Sequence, residues 1–195
     1  MSEAANFDDR IAALERRLQA IEDRQAIHDA IVRYCRGVDR SDPDLVLSAF
    51  HDDAVDNHFG PVLPFREAIG TLKNAASGSP PSKTTSMHSI GNILIELHGD
   101  EARCETYVTV VVRIPLEEGL IDWTHAGRYV DRFERRGGQW RIAYRTVIYD
   151  RERFDKVVPA PHGLSQARYL DNAVRGNRGR GDFSYQILNP PNVER

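Results

Sequence analysis

The fold is decided by residues 87–102, which read MHSIGNILIELHGDEA. Apolar and polar side chains alternate through this segment, and the alternation predicts a β-strand from His88 to Leu97. The Gly99-Asp100 pair then predicts a tight turn into a second strand. The segment therefore predicts the first hairpin of an antiparallel sheet.

The strand pattern continues toward the C-terminus. Three more segments are strand-like, and short turns that contain glycine separate them. They cover residues 103–114, 122–134 and 139–149. Because every connection is local, we expect an antiparallel meander, preceded by a brief strand near residues 54–58.

The N-terminal third of the chain predicts helices. Apolar residues spaced by three and four predict one long amphipathic helix, with Gly37 and Ser41-Asp42-Pro43 at its end. Ser41 or Asp42 can cap a second helix at residues 44–50, and a third is predicted at residues 64–74. We expect an α+β fold in which N-terminal helices pack on a curved, mainly antiparallel sheet and enclose a pocket at its open end.

Three parts of the chain are distinguished by pattern: a helical extension at 1–26, the α+β domain at 27–158 and an extended tail at 159–195. The extension carries a short apolar stripe, expected to pack on a neighbouring subunit or on the back of the sheet. If the stripe packs on a neighbouring subunit, the protein is expected to be a homodimer or homotrimer. The tail is either disordered or ordered only against something else, and its apolar residues favour a lid with Phe183 or Tyr185 in the cavity wall.

Composition argues against nucleic acid and membranes as binding partners. With a net charge of −3, the chain lacks the positive field that non-specific binding to nucleic acid requires. No apolar run reaches membrane-spanning length and no signal segment is seen, so we expect no membrane partner. The two cysteines, Cys35 and Cys104, form no CxxC pair, and a reduced, cytoplasmic compartment is expected.

Asp39 and His88 are the main candidates for chemistry. Asp39 falls in the last turn of the first helix, where the helix dipole disfavours a carboxylate, so it either pairs with Arg36 or Arg40 on the surface or serves a site. A β-bulge at Gly91-Asn92 would turn His88 to the same face as the later apolar residues of its strand. An inward histidine is usually a core residue, but beside Asp39 it becomes a general base.

Tyr34 is a third candidate. On an ideal helix it lies about 140° from Asp39, so the two share a pocket only if the helix ends or unwinds at Gly37. In that case the phenol donates a proton to a developing oxyanion or a leaving hydroxyl. Otherwise Tyr34 is a core aromatic residue.

A second group of residues is expected to bind the substrate. In the strand at 122–134, His125 and Tyr129 share one parity, and if that face is inward they can bind or polarise a substrate oxygen. Asp131 and Arg145 either support them or form a simple cross-strand ion pair. The expected substrate-binding residues are Trp123, His125, Tyr129, Val110 and His58.

No cofactor or metal is expected. His51, His58 and His98 have no metal-ligand spacing with a carboxylate or a cysteine. The chain also lacks the glycine-rich motifs of nucleotide sites.

Several segments together resemble the SnoaL-like branch of the nuclear transport factor 2-like superfamily, over about residues 20–155. They are the helix that carries Tyr34 and Asp39, and residues 50–54, 87–102, 127–133 and 140–142. The resemblance implies a cone-shaped, cystatin-like fold. Members of that branch include polyketide cyclases, dehydratases, dehydrochlorinases and ketosteroid isomerases.

The resemblance also implies roles. The catalytic Tyr, Asp and His of the bile-acid dehydratase pattern fall on Tyr34, Asp39 and His88, and the dehydrochlorinase dyad falls on Asp39 and His88. A further acidic residue of the dehydratase pattern falls near Val110, which speaks against bile-acid dehydration itself. We expect a cofactor-independent lyase or isomerase that acts on a hydrophobic cyclic or aromatic small molecule by Asp/His acid–base chemistry.

Non-catalytic roles stay open because the superfamily also contains non-enzymes. One is a structural subunit, since the chain also resembles the β subunit of ring-hydroxylating dioxygenases in fold, size and trimeric assembly. Another is a small-molecule binding protein. A structural subunit has no need for Tyr, Asp and His around one cavity, so the arrangement of these residues distinguishes the two classes.

Overall fold

A computed structural model describes residues 3–58, 60, 62–67, 69, 84–158, 174 and 176–188. The helices with both ends described are α1 (Glu3–Arg40), α2 (Pro43–Ser48) and α3 (Phe183–Leu188). Its strands are β1 (Phe50–Asn57), β2 (Leu63–Pro64), β3 (Thr85–His98), β4 (Glu101–Leu116), β5 (Gly119–Arg136) and β6 (Gln139–Lys156). None of the helices in these ranges is both long enough and apolar enough to cross a membrane.

The six strands form one curved, open sheet in the order β2-β1-β6-β5-β4-β3. The predicted meander from β3 to β6 is confirmed. β3, β4 and β5 extend beyond both predicted ends, and β6 starts at the predicted Gln139 and extends beyond the predicted C-terminal end. β1 starts at Phe50, earlier than expected, and pairs in parallel with β6, while β2 pairs with its outer edge. With helices on this sheet the molecule has the predicted α+β, cystatin-like fold.

The end of α1 lies at the predicted Ser41-Asp42-Pro43 boundary, with Asp39 in the last turn as expected. The helix continues through Gly37 to Arg40 and closes in a Schellman motif, in which Asp42 N–H bonds to Gly37 O at 2.8 Å and Ser41 N–H to Val38 O at 3.2 Å. Ser41 occupies the left-handed position with φ 51°. Gly37 serves packing instead, because a Cβ there would lie 2.6 Å from Cγ2 of Val46 in α2.

The predicted cap of α2 is confirmed. Asp42 accepts a hydrogen bond from Leu45 N at 3.1 Å, and Pro43 lies in the first turn. Of the predicted third helix, residues 65–67 and 69 are helical, and the rest lies outside the described residues. Its expected first residue, Pro64, belongs to β2.

The core lies between α1 and one face of the sheet. Ile27, Ile31 and Tyr34 of α1 pack against buried residues of the strands, which include Phe50, Phe133 and Ile142. Only the second half of α1 packs on the sheet, since the apolar residues of its first half, from Phe7 to Ile21, are exposed. α1 passes without a break through residue 26, so the proposed extension and the domain share one helix.

Candidate active site

A β-bulge directs His88 toward α1. In the pairing of β3 with β4, Ile90 opposes Val108 and Ile93 opposes Thr106, so Gly91 and Asn92 together face one residue. The extra residue puts His88 on the same face of the sheet as Ile93 and the later inward residues of β3. The predicted bulge is confirmed.

Asp39 meets His88 across the gap between helix and sheet. Oδ1 of Asp39 lies 2.6 Å from Nδ1 of His88, and Oδ2 accepts a hydrogen bond from the backbone N–H of His88 at 3.0 Å. The side chains are 12% and 7% exposed. The predicted contact is therefore present, and it fixes the imidazole tautomer with hydrogen on Nδ1 and the lone pair on Nε2. Within the described residues, Nε2 makes no hydrogen bond to the protein.

Tyr34 lies beside the pair without any unwinding of α1. Its ring packs edge-on against His88 at 6.3 Å between centroids, and edge-on against Phe50 and Tyr129. The sequence argument required a helix break because it compared only angles around α1, whereas β3 crosses the helix and contacts both residues. Burial raises the pKa of Tyr34 well above its usual value, so its hydroxyl stays protonated. Its role as proton donor stays a prediction.

A buried ion pair lies under the aromatic residues. Arg145 of β6 donates two hydrogen bonds to Asp131 of β5, at 2.8 and 2.7 Å, and neither side chain is exposed. The guanidinium lies 4.0 Å from the ring centre of Tyr129 and 4.4 Å from that of Tyr34. Burial lowers the pKa of Arg145, but the charge and hydrogen bonds of Asp131 raise it by more. The predicted pairing is confirmed, and it positions Tyr34 and Tyr129 as well as joining two strands.

His125 stands on the same row of the sheet as His88. Val110 opposes His88 on one side and His125 on the other, so the two histidines lie two strands, about 10 Å, apart. Burial lowers the pKa of His125 to about 4, with nearby His88 and His58 acting in the same direction. His125 is therefore neutral at neutral pH. Val110 is buried between the two histidines.

Two neighbouring ring nitrogens lack a hydrogen-bond partner among the described residues, one on the His88 row and one on the next row of the sheet. They are Nδ1 of His125 and Nε1 of Trp123, and both are buried. The two rings are neighbours, 4.7 Å apart at their centres. Buried polar atoms of this kind are costly unless something binds them.

His58 belongs to a second acid–histidine contact. Its Nδ1 lies 3.3 Å from Oδ2 of Asp56, which is almost completely buried in β1. Sequence reasoning missed Asp56, although it lies two residues after the inward-facing Ala54 and shares its parity. Across the described ranges, no group of three or more His, Cys, Asp or Glu side chains is arranged to hold a metal ion.

The comparison with protein families decides the classification. A family model described as the SnoaL-like domain matches residues 19–146. The chain belongs to the SnoaL-like family. The resemblance to this branch of the nuclear transport factor 2-like superfamily is thereby confirmed, and the matched range includes Tyr34, Asp39 and His88.

Solved structures of similar fold come from several proteins. A candidate aromatic ring hydroxylase from Novosphingobium aromaticivorans is 25% identical, with a TM-score of 0.59 over 70% of this chain and 94% of that one. A candidate scytalone dehydratase from the same organism is 22% identical, with a TM-score of 0.60 over 74% and 95%. The hexachlorocyclohexane dehydrochlorinase LinA-type3 from Novosphingobium barchaimii is 21% identical, with a TM-score of 0.60 over 73% and 99%. Among curated protein sequences there is no significant match.

Proposed function

We propose that this protein is a cofactor-independent lyase or isomerase in which His88 is the general base. One observation carries the proposal: the 2.6 Å contact between Nδ1 of His88 and Oδ1 of Asp39. A carboxylate in that position orients the imidazole and stabilises the imidazolium that forms when the ring takes a proton. The helix dipole makes this a costly place for a carboxylate, which favours a functional reason for it.

The proposed reaction is a proton abstraction followed by elimination. Nε2 of His88 removes a proton from a carbon of the substrate, and the electrons of the broken C–H bond form a double bond as a neighbouring group leaves. When that group is a hydroxyl, the proton on Nε2 passes to it and water departs. The imidazole returns to its neutral form, so the cycle needs no other acid, although the protonated Tyr34 can support the leaving oxygen.

The residues around the pair favour an oxygen-bearing substrate with an apolar ring. Val108, Val110 and the aromatic residues around Tyr34 are apolar and buried near it. The unpartnered Nε1–H of Trp123 donates a hydrogen bond, and His125 is a neutral donor or acceptor. A hydroxylated or keto cyclic compound satisfies both atoms, whereas a chlorinated hydrocarbon leaves them unpaired. We therefore favour dehydration or isomerisation over loss of HCl.

A screen for turnover tests the proposal. The full-length protein is incubated with hydroxylated and keto steroids, polyketides and lignin-type phenolics, together with chlorinated cyclohexanes, and loss of water or HCl is followed by mass spectrometry. We expect turnover of an oxygenated member and a loss of about 10²- to 10⁴-fold in His88→Gln and Asp39→Asn.

The matched control is His98→Gln, because His98 ends the same strand and is exposed. Full activity is expected from it. Equal activity of His88→Gln and wild type contradicts the proposal. Ligand binding without any turnover across the panel, or co-purification with a dioxygenase α subunit, supports the non-catalytic alternatives instead.

A further inference from the structure

The C-terminal segment at residues 176–188 docks onto the two elements that carry the proposed acid–base pair. Gly179 N–H bonds to Arg40 O, the last carbonyl of α1, at 2.5 Å. Tyr185 donates a hydrogen bond to Oδ2 of Asp42 at 2.7 Å, and Arg36 of α1 lies over the Tyr185 ring. These contacts fix the segment at the end of α1, and we call it the strap.

Tyr185 and Phe183 have different surroundings in this segment. Tyr185 packs on Arg36 and bonds to Asp42, and Phe183 is 48% exposed. The expected contribution of these two aromatic residues to a cavity wall stays a prediction. Residues 159–173, 175 and 189–195 of the predicted lid lie outside the described residues.

Arg178 is the part of the strap that reaches farthest toward the pair. Its Nη1 donates to Thr84 O at 3.0 Å, just before β3, and its Nη2 contacts Val38 O at 3.5 Å, just before Asp39. Its Nε donates to Oγ of Ser41 at 2.5 Å. One guanidinium thus joins the chain next to Asp39 to the chain that leads into His88.

Charge gives the same guanidinium a second effect. The guanidinium contacts the carbonyl of Val38, the residue before Asp39. Burial lowers the pKa of Arg178, and the negative charge of Asp39 acts in the opposite direction. The last carbonyls of a helix also need donors, and the strap supplies two of them through Arg178 and Gly179. A cation in this position offsets the unfavourable placement of a carboxylate in the last turn of α1.

We propose that Arg178 is a positioning residue that holds Asp39 and His88 in register by bridging the end of α1 to the start of β3. Arg178 does not touch the reacting atoms and acts through Asp39. The strap lies beyond residues 19–146, which match the family, so this device is a property of the chain outside the shared domain. This proposal rests on the proposed function in one respect: it takes Asp39 and His88 as the catalytic centre.

The test uses the side-chain ¹⁵N and ¹H resonances of His88 in the full-length protein. We expect Arg178→Ala to move or broaden the hydrogen-bonded Nδ1–H signal and to lower kcat on any substrate found by about 10- to 100-fold. Arg178→Lys keeps the charge but cannot bridge the same three acceptors, so it should restore only part of the effect. The matched control is Arg180→Ala, since Arg180 is exposed on the same segment.

Each outcome decides the proposal. If Arg178→Ala keeps the wild-type His88 signal and rate, the proposal is wrong. If Arg178→Ala does not fold, a wild-type His88 signal in Arg178→Lys overturns it, and a shifted one supports it. The NMR measurement needs no substrate. If the proposed function is wrong but the Arg178 proposal is right, no substrate is turned over, yet Arg178→Ala still changes the His88 signal.

Discussion

Asp39 is the residue whose position in the amino-acid sequence already points to a site. A carboxylate in the last turn of a helix costs a few tenths to about 1 kcal/mol through the helix dipole. The fold provides the compensation, since both oxygens of Asp39 are bonded to His88 and Arg178 lies nearby. The sequence showed that the carboxylate of Asp39 lies at an unfavourable helix end, and it indicated His88 as one residue that binds it. Arg178 escaped prediction because nothing local connects it with Asp39.

His125 gives a prediction about pH. Its pKa in the folded protein, about 4, is below the ordinary value for histidine of about 6.5. Above pH 6.5 His125 is neutral in both the folded and unfolded states, so it does not make the free energy of unfolding depend on pH. As the pH falls from 6.5 toward 4, the unfolded chain binds a proton that the folded protein does not. Stability is therefore lost over that range, on the order of 2 kcal/mol.

Urea unfolding between pH 7 and 4.5 checks this sign. We expect the free energy of unfolding of His125→Asn to fall less with pH than that of wild type. His28→Asn is the control, because His28 is a partly exposed histidine of α1. A wild-type His125 that titrates near 6.5 by NMR would contradict the prediction.

At the scale of elements, the contact between α1 and α2 depends on one glycine. An added Cβ at Gly37 would lie 2.8 Å from the backbone N of Val46, as well as 2.6 Å from its Cγ2, and a side-chain rotation cannot relieve the backbone contact. Alanine gains up to about 1 kcal/mol of helix propensity. Overpacking costs about 1–3 kcal/mol, and a clash with a backbone atom belongs to the upper part of that range, about 2–3 kcal/mol. After the gain in helix propensity is subtracted, we expect Gly37→Ala to lose about 1–2 kcal/mol of stability.

Thermal and urea unfolding measure that loss. Gly176→Ala is the matched control, since no atom lies within 4 Å of a Cβ built there. Its stability should change by less than about 0.5 kcal/mol. A Gly37→Ala variant as stable as wild type would mean that α2 moves freely against α1.

The bulge in β3 was predictable, and the pairing of β1 was not. Strict alternation from His88 put it on the opposite face from Ile93, so the sequence itself contained the conflict that a bulge resolves. The parallel pairing of β1 with β6 joins segments far apart in the chain, and no local pattern indicates it. Asp56 was missed although it shares the parity of Ala54, because nothing local shows that β1 joins the sheet beside β6.

At the scale of the whole molecule, the first half of α1 lies outside the core. Phe7, Leu14, Leu18 and Ile21 are each more than half exposed, in a stripe along one side of the helix. A stripe of this size is typical of an interface. We therefore still predict a homodimer or homotrimer with this half of α1 at or near the interface.

Light scattering at micromolar concentration measures the assembly. We expect Leu14→Glu with Leu18→Glu, or deletion of residues 1–20, to reduce the mass to that of the monomer. Substitution of Arg16 and Arg17 by glutamate on the other faces of the helix should leave the oligomer intact. A wild-type protein that is already monomeric would rule out the interface.

The central claim is that His88, held by Asp39, removes a proton from carbon. Deuterium exchange tests it most directly, with a cyclic ketone that resembles a substrate but has no leaving group, incubated with the protein in D₂O. The account predicts that wild type and His98→Gln incorporate deuterium next to the carbonyl, and that His88→Gln and Asp39→Asn do so slower by about 10²-fold or more. Exchange by His88→Gln at the wild-type rate would contradict it.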